Sequence, residues 1–172
     1  NRDGVAKTLN NIGIGYKELG EYPKALDYYT KALKEAETAK DQAGIARYLG
    51  NIGNVYALQG EHAKAIDFML RAMKIDEQQG NTRSLASKLG NIGNVYLDMG
   101  DLAKAEEYCF KGLKMAQQIG LKMLENDILG NIGALYLKQN KFKLAETYLL
   151  RSLAISDFMG YLAAIKQANE NL

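Results

Sequence analysis

Tryptophan is absent, and proline, cysteine and histidine occur once each, as Pro23, Cys109 and His62. A single cysteine excludes a disulfide framework, and one cysteine with one histidine falls short of the ligands a structural zinc site needs. Neither sign of charge is in excess: 22 Lys and Arg against 20 Asp and Glu leave a net charge of +2. That balance excludes a strongly basic nucleic-acid binder and an acidic disordered tail. No apolar run approaches the ~18 residues that cross a bilayer, and the N-terminal stretch does not read as a signal peptide. The expectation is a cytoplasmic protein with no metal or other cofactor and with neither nucleic acid nor membrane as partner. Few β-branched runs, beside many Ala, Leu, Lys and Glu, favour helix. With 47% apolar residues in 172, there is enough for a core of single-domain size.

What the chain does have is an internal repeat. LGNIGNVY stands at Leu49–Tyr56 and again at Leu89–Tyr96, with LNNIGIGY at Leu9–Tyr16 and LGNIGALY at Leu129–Tyr136. The period is 40 residues with no insertion, giving units 1–40, 41–80, 81–120 and 121–160 and a partial fifth, 161–172, in which Asn171-Leu172 falls on the Asn-Ile of the motif. The array therefore reads as part of a longer one. Each unit reads as two helices. Leu9, Ile12, Gly13 and Tyr16 recur at the spacing of one helical face. Gly20, Gly60, Gly100 and Asn140 then suit a left-handed C-cap. Glu21, Glu61 and Asp101 are placed to satisfy the start of the second helix, just inside which Pro23 is tolerated. The second helix is expected to close at Lys40, Gly80, Gly120 and Gly160, and Tyr161–Leu172 to form a helix over the last hairpin's apolar edge. Gly13, Gly53, Gly93 and Gly133, with Ala25, Ala65, Ala105 and Ala145, are small where two helices must approach closely.

These residues resemble a known family. L-x2-I-G-x2-Y, an Ala nine residues on, a large apolar residue (Tyr29, Met69, Cys109, Leu149) and then Ala32 or Ala72 are similar to the tetratricopeptide repeat. The resemblance covers essentially the whole chain. The family's usual period is about 34 with a Pro ending the second helix, whereas here Glu37, Glu77, Gln117 and Asp157 stand in that place. Gly112 and Ser152 replace the second Ala, a mild deviation. The longer unit resembles that of kinesin light chains, the Pins/LGN spindle-orientation adaptors and bacterial regulatory proteins. The resemblance implies an all-α, right-handed superhelix, an α-solenoid of four helix-turn-helix repeats plus a C-terminal helix. It also implies a non-catalytic module holding an extended peptide or partner helix in a concave groove. Repeat type specifies fold far better than function.

Opposite the packed face of each first helix lies a second stripe: Lys7, Asn11, Ile14, Glu18; Arg47, Asn51, Asn54, Leu58; Ser87, Asn91, Asn94, Asp98; and Asp127, Asn131, Ala134, Lys138. Helical geometry says only that it faces away from the partner helix. The family resemblance places it on the concave side. Asn11, Asn51, Asn91, Asn131 and Asn171 share one position, although Asn costs a helix interior about 0.5 kcal/mol or more against Ala. A carboxamide offers donor and acceptor together and can pair with any peptide backbone. With helices about 10 Å apart and an extended chain rising about 3.3 Å per residue, one Asn would meet every third ligand residue. This resembles the asparagine ladder of kinesin light chains. Two alternatives stay open: the amides bond to one another between helices, or they persist from recent duplication. Gly50, Gly90 and Gly130 read as letting a ligand approach. Lys7 and Arg47 at one end, with Asp98 and Asp127 toward the other, place acidic ligand residues near the first two repeats. The resemblance stops short of the carboxylate clamp of chaperone-tail binders, because Asn10 stands where that clamp has Lys.

Other signals read as structural. The second helices carry Lys24, Lys31, Lys64, Arg71, Lys104 and Lys111, but Asp27, Asp67 and Glu107 precede three of them by four residues, the favourable helical pairing. Cys109 occupies a packing position, far from His62, and reads as apolar filler. No phosphate-binding loop or acid–base carboxylate cluster is apparent, so no catalytic residue is assigned. Two further readings accompany the peptide groove. One is the regulatory input region of a bacterial signalling protein. The other is self-association through exposed terminal repeats.

Overall fold

A computed structural model describes the backbone of residues 2–170 and the side chains of residues 4–160. Eight helices follow one another: α1 Arg2–Glu18, α2 Tyr22–Ala39, α3 Gln42–Leu58, α4 His62–Gln79, α5 Thr82–Met99, α6 Leu102–Gln118, α7 Lys122–Lys138 and α8 Phe142–Glu170. Consecutive helices pack as hairpins, and each hairpin packs on the next. Beyond sequence neighbours, contacts run α1 to α3, α3 to α5 and α5 to α7, with none joining the even-numbered helices among the described residues. The odd helices are therefore crowded on the inner face of an all-α solenoid, and the even helices fan out on the outer face. No described helix is long and apolar enough to cross a membrane.

The turns follow from local chemistry. The first helices end on residues with positive φ: Gly20 at 74°, Gly60 at 74°, Gly100 at 79° and Asn140 at 58°. The next N–H then closes back onto the helix, Glu21 to Tyr16 and Lys141 to Tyr136, each at 2.9 Å. Lys40, Gly80 and Gly120 end second helices in the same way. Gly160 does not. It lies inside α8, which runs unbroken to Glu170, so the C-terminal helix is a continuation of α8 and not a separate element. Whether Tyr161–Leu172 cover the apolar edge lies outside the described side chains.

At the start of second helices the acidic residues divide. Asp101 caps, accepting from the Lys104 N–H at 3.1 Å. Glu21 and Glu61 make no cap bond, because the extra methylene carries the carboxylate past the helix end. They pair instead with Lys24 at 3.4 Å and Lys64 at 2.6 Å. Asp41 and Asn81 cap α3 and α5.

Inside each hairpin the recurrent glycine sets the approach. A Cβ on Gly93 would sit 2.5 Å from Cys109 Sγ, and one on Gly13 would sit 2.7 Å from the Tyr29 ring. Ala25, Ala65, Ala105 and Ala145 are fully buried on the facing helices. Cys109 is likewise buried, and burial pushes its thiol up to about 12, the behaviour of a packing residue and not of a nucleophile.

Candidate binding groove

Two adjoining clefts open on the inner face. The larger, 690 Å³, is lined by Arg47, Asn51, Asn54, Ser87, Asn91 and Asp127 among others. The smaller, 370 Å³, is lined by Asn54, Asn91, Asn94, Asp98 and Asn131 among others. Asn54 and Asn91 belong to both, so the clefts form one trough across α3, α5 and α7. Nine of the twelve site residues read from the sequence are thereby brought together. Lys7, Asn11 and Lys138 line neither cleft. Lys138 spends its ammonium on the Leu97 carbonyl at 2.8 Å, tying α7 to α5. Asn171 lies outside the described residues.

The asparagines divide between those that bond across helices and those without a side-chain partner among the described residues. Asn51 Nδ2 donates to Asn10 Oδ1 at 2.7 Å, and Asn91 Nδ2 donates to Asn54 Oδ1 at 3.0 Å. Both bonds stitch neighbouring first helices together. Each of these donors keeps a second N–H and its own Oδ1. Asn94 and Asn131 have no hydrogen-bond partner among the described residues. All five groove amides, at 51, 54, 91, 94 and 131, are half-buried and not sealed.

The adjacent glycines correct the sequence reading. A Cβ on Gly50 would meet Lys88 Cε at 3.0 Å, and one on Gly90 would meet Ile128 Cγ1 at 2.8 Å. Those two are small because the next repeat's side chain packs over them, not to admit a ligand. Gly130 alone of the three has open space at that point.

One feature of the trough escaped the sequence reading. Lys88, 7% exposed, donates to Asp76 Oδ2 at 2.7 Å and to Ser84 Oγ at 2.6 Å, with Asp76 only 2% exposed. The pair forms the seam between repeats two and three, and Lys88 and Ser84 reach the larger cleft. A second buried carboxylate, Glu125, accepts from Gln117 at 2.9 Å and from Lys122 at 2.8 Å. Burial pushes its acid upward, but those two bonds and the Lys122 and Arg151 charges outweigh it and hold it below the ordinary range. Asp127, which lines the larger cleft, has no such donors among the described residues, and desolvation raises its carboxyl.

On the outer face several of the cations are paired along their own helix. Lys31–Asp27 at 2.6 Å, Arg71–Asp67 at 3.7 Å and Lys111–Glu107 at 2.5 Å realise the pairing expected from spacing. Each hairpin also pairs two aromatic rings, stacked in Tyr16–Tyr28, Tyr56–Phe68 and Tyr96–Tyr108 and tilted in Tyr136–Tyr148, with ring centroids 5.4 or 5.5 Å apart. A cation lies over each ring, as Lys104 does over Tyr96 at 5.0 Å.

The tetratricopeptide repeat family matches residues 4–78 and 84–157. No curated protein sequence matches the chain. Among solved structures, BtubC (BKLC) from P. vanneervenii is similar, with a TM-score of 0.79 and 19% identity over 93% of this chain and 66% of that one. Aspartyl phosphate phosphatase F from Bacillus subtilis gives 0.67 and 20% over 90% of this chain and 50% of that one. The Rap conjugation gene regulator of plasmid pLS20, solved with the Phr* peptide, gives 0.76 and 21% over 83% of this chain and 40% of that one. At these identities the likeness is one of fold, and the chain spans 40% to 66% of their lengths.

Proposed function

The chain belongs to the tetratricopeptide repeat family, and on that footing we propose that it is a non-catalytic module that holds an extended peptide in its inner trough. The observation that carries this reading is the row of half-buried carboxamides at Asn51, Asn54, Asn91, Asn94 and Asn131 along one continuous cleft. Where Asn51 and Asn91 bind their neighbours, the bond fixes the amide's orientation and leaves the remaining donor and acceptor for a ligand. An amide held in place loses less entropy on binding than a free one. Such contacts read main chain and give affinity; the charges around them give preference.

The test separates binding from packing. Asn94→Ala with Asn131→Ala removes two amides that bond to nothing in the described structure. We expect a peptide selected on this protein to lose about tenfold in affinity, roughly 1.4 kcal/mol, with an unchanged melting temperature. An unchanged affinity would refute the reading. Asn51→Ala with Asn91→Ala removes interhelical bonds as well, and should lower both quantities.

A second reading makes the array the input region of a larger regulator. The Rap regulator solved with the Phr* peptide favours it. Both readings share the peptide-holding trough and differ in whether an output domain adjoins it, which the full-length gene would show.

A further inference from the structure

Of the arginines whose side chains are described, two are engaged on the outer face: Arg71 with Asp67 and the Phe68 ring, and Arg151 over the Tyr148 ring. The other two, Arg47 on α3 and Arg83 on α5, have neither ion pair nor hydrogen bond among the described residues. Both line the larger cleft. The remaining cations there are committed, Lys88 to buried Asp76 and Lys122 to buried Glu125. The uncompensated positive charge of the trough is therefore concentrated on one wall, as two planar forks of the shape that takes a carboxylate. The facing wall differs in kind. Met123 is 70% exposed at the start of α7, and half-buried Leu124 and Met159 line the same cleft. An exposed, unbranched thioether on a cleft wall is an adaptable apolar contact.

Resting on the peptide-holding function, we propose that the occupant carries an acidic side chain for Arg47 and Arg83 and a large apolar side chain three to five residues away for the wall of Met123, Leu124 and Met159. The spacing follows from geometry. Neighbouring first helices stand about 10 Å apart, so the arginine wall and α7 are separated by about 10–15 Å, which an extended chain covers at about 3.3 Å per residue. Asp127 sets the polarity. It stands on α7 in the same cleft without a cation partner among the described residues, so a second acidic ligand residue there is repelled while an acid at the α3–α5 end is attracted.

The experiment is selection of peptides of about twelve residues, long enough to cross the trough, from a displayed random library on the purified chain. The expected result is enrichment of Asp or Glu three to five positions from Leu, Ile, Met or Phe. Replacing the acid of the best peptide by its amide should cost about tenfold in affinity. On an Arg47→Ala, Arg83→Ala protein of unchanged helicity, the same replacement should cost less than twofold, the signature of direct coupling. Binders without that spacing, or an acid-to-amide loss equal on both proteins, would overturn this inference and leave the trough intact. Binders indifferent to Asn94→Ala with Asn131→Ala, or no binders at all, would overturn the trough itself.

Discussion

On the outer face each repeat sandwiches an aromatic pair between two cations: Lys24 and Lys31 flank Tyr16 and Tyr28, and Lys104 and Lys111 flank Tyr96 and Tyr108. The same cations are neutralised by acids three or four residues away. On the inner face Arg47 and Arg83 line a cleft with neither ion pair nor hydrogen bond among the described residues. The outer contacts are completed within one hairpin and ask nothing of any other molecule. The inner amides and guanidinia come from different hairpins and retain unused hydrogen-bonding capacity. A basic stripe on a helix is thus uninformative until its partners are known, and the unpaired arginines that line the trough stand outside that stripe.

That contrast can be broken hardest at Lys88. Lys88→Met strands the Asp76 carboxylate in the seam and should cost about 3–5 kcal/mol, a fall in melting temperature on the order of 10 °C. Pairing Asp76→Ala with Lys88→Tyr, the residues found at Ala36 and Tyr48 in the preceding seam, should recover most of it. Gly90→Ala comes next: its Cβ would meet Ile128 at 2.8 Å, and relieving that overlap should cost about 1–3 kcal/mol in chemical denaturation. Gly130→Ala, with open space at that point, should instead stabilise by up to about 1 kcal/mol.

Acid sharpens the picture at Glu125. Its folded acid lies below the ordinary 4.5, so the unfolded chain takes up the proton first and stability rises with pH across that window. The contribution is complete above about pH 4.5 and lost as pH falls through the depressed folded value. Melting temperatures of Glu125→Gln should therefore be flatter than those of the parent on the acid side. The smallest effect belongs to the outer ladder: Lys111→Ala should leave the melting temperature nearly unchanged, its ion pair being fully exposed and screened by water, and leave peptide affinity unmoved in the same titration.

The period, the paired helices and the left-handed caps were legible because they depend on neighbours in sequence. Helical spacing also puts Asn51, Asn54, Asn91 and Asn94 on one side, facing away from the partner helix, but only the family resemblance assigns that side to a concave face. What sequence spacing could not supply was contact between repeats. Gly50 and Gly90 look like space for a ligand until Lys88 and Ile128 are seen over them. The buried pair does leave a trace, read down the repeat columns. Asp76 interrupts Ala36, Ala116 and Ser156, and Lys88 interrupts Thr8, Tyr48 and Ile128. Two breaks that compensate in charge point to a junction. Glu125 in the column of Val5, Ile45 and Leu85 is a third. Gly160 shows the converse, a cap residue inside a helix that continues.

A chain of near-identical units faces a hazard that a single-core protein does not, since α3 and α5 carry the same LGNIGNVY and wrong pairing between repeats is a characteristic failure of repeat proteins. The acid at position 76 acts as a key. Tyr48 of α3 and Ile128 of α7 bring no cation to that seat, and a slip by one unit would entomb a bare carboxylate at a penalty of several kcal/mol. The charge pair thus gives the central junction an energetic register mark, where the two LGNIGNVY units would otherwise be alike.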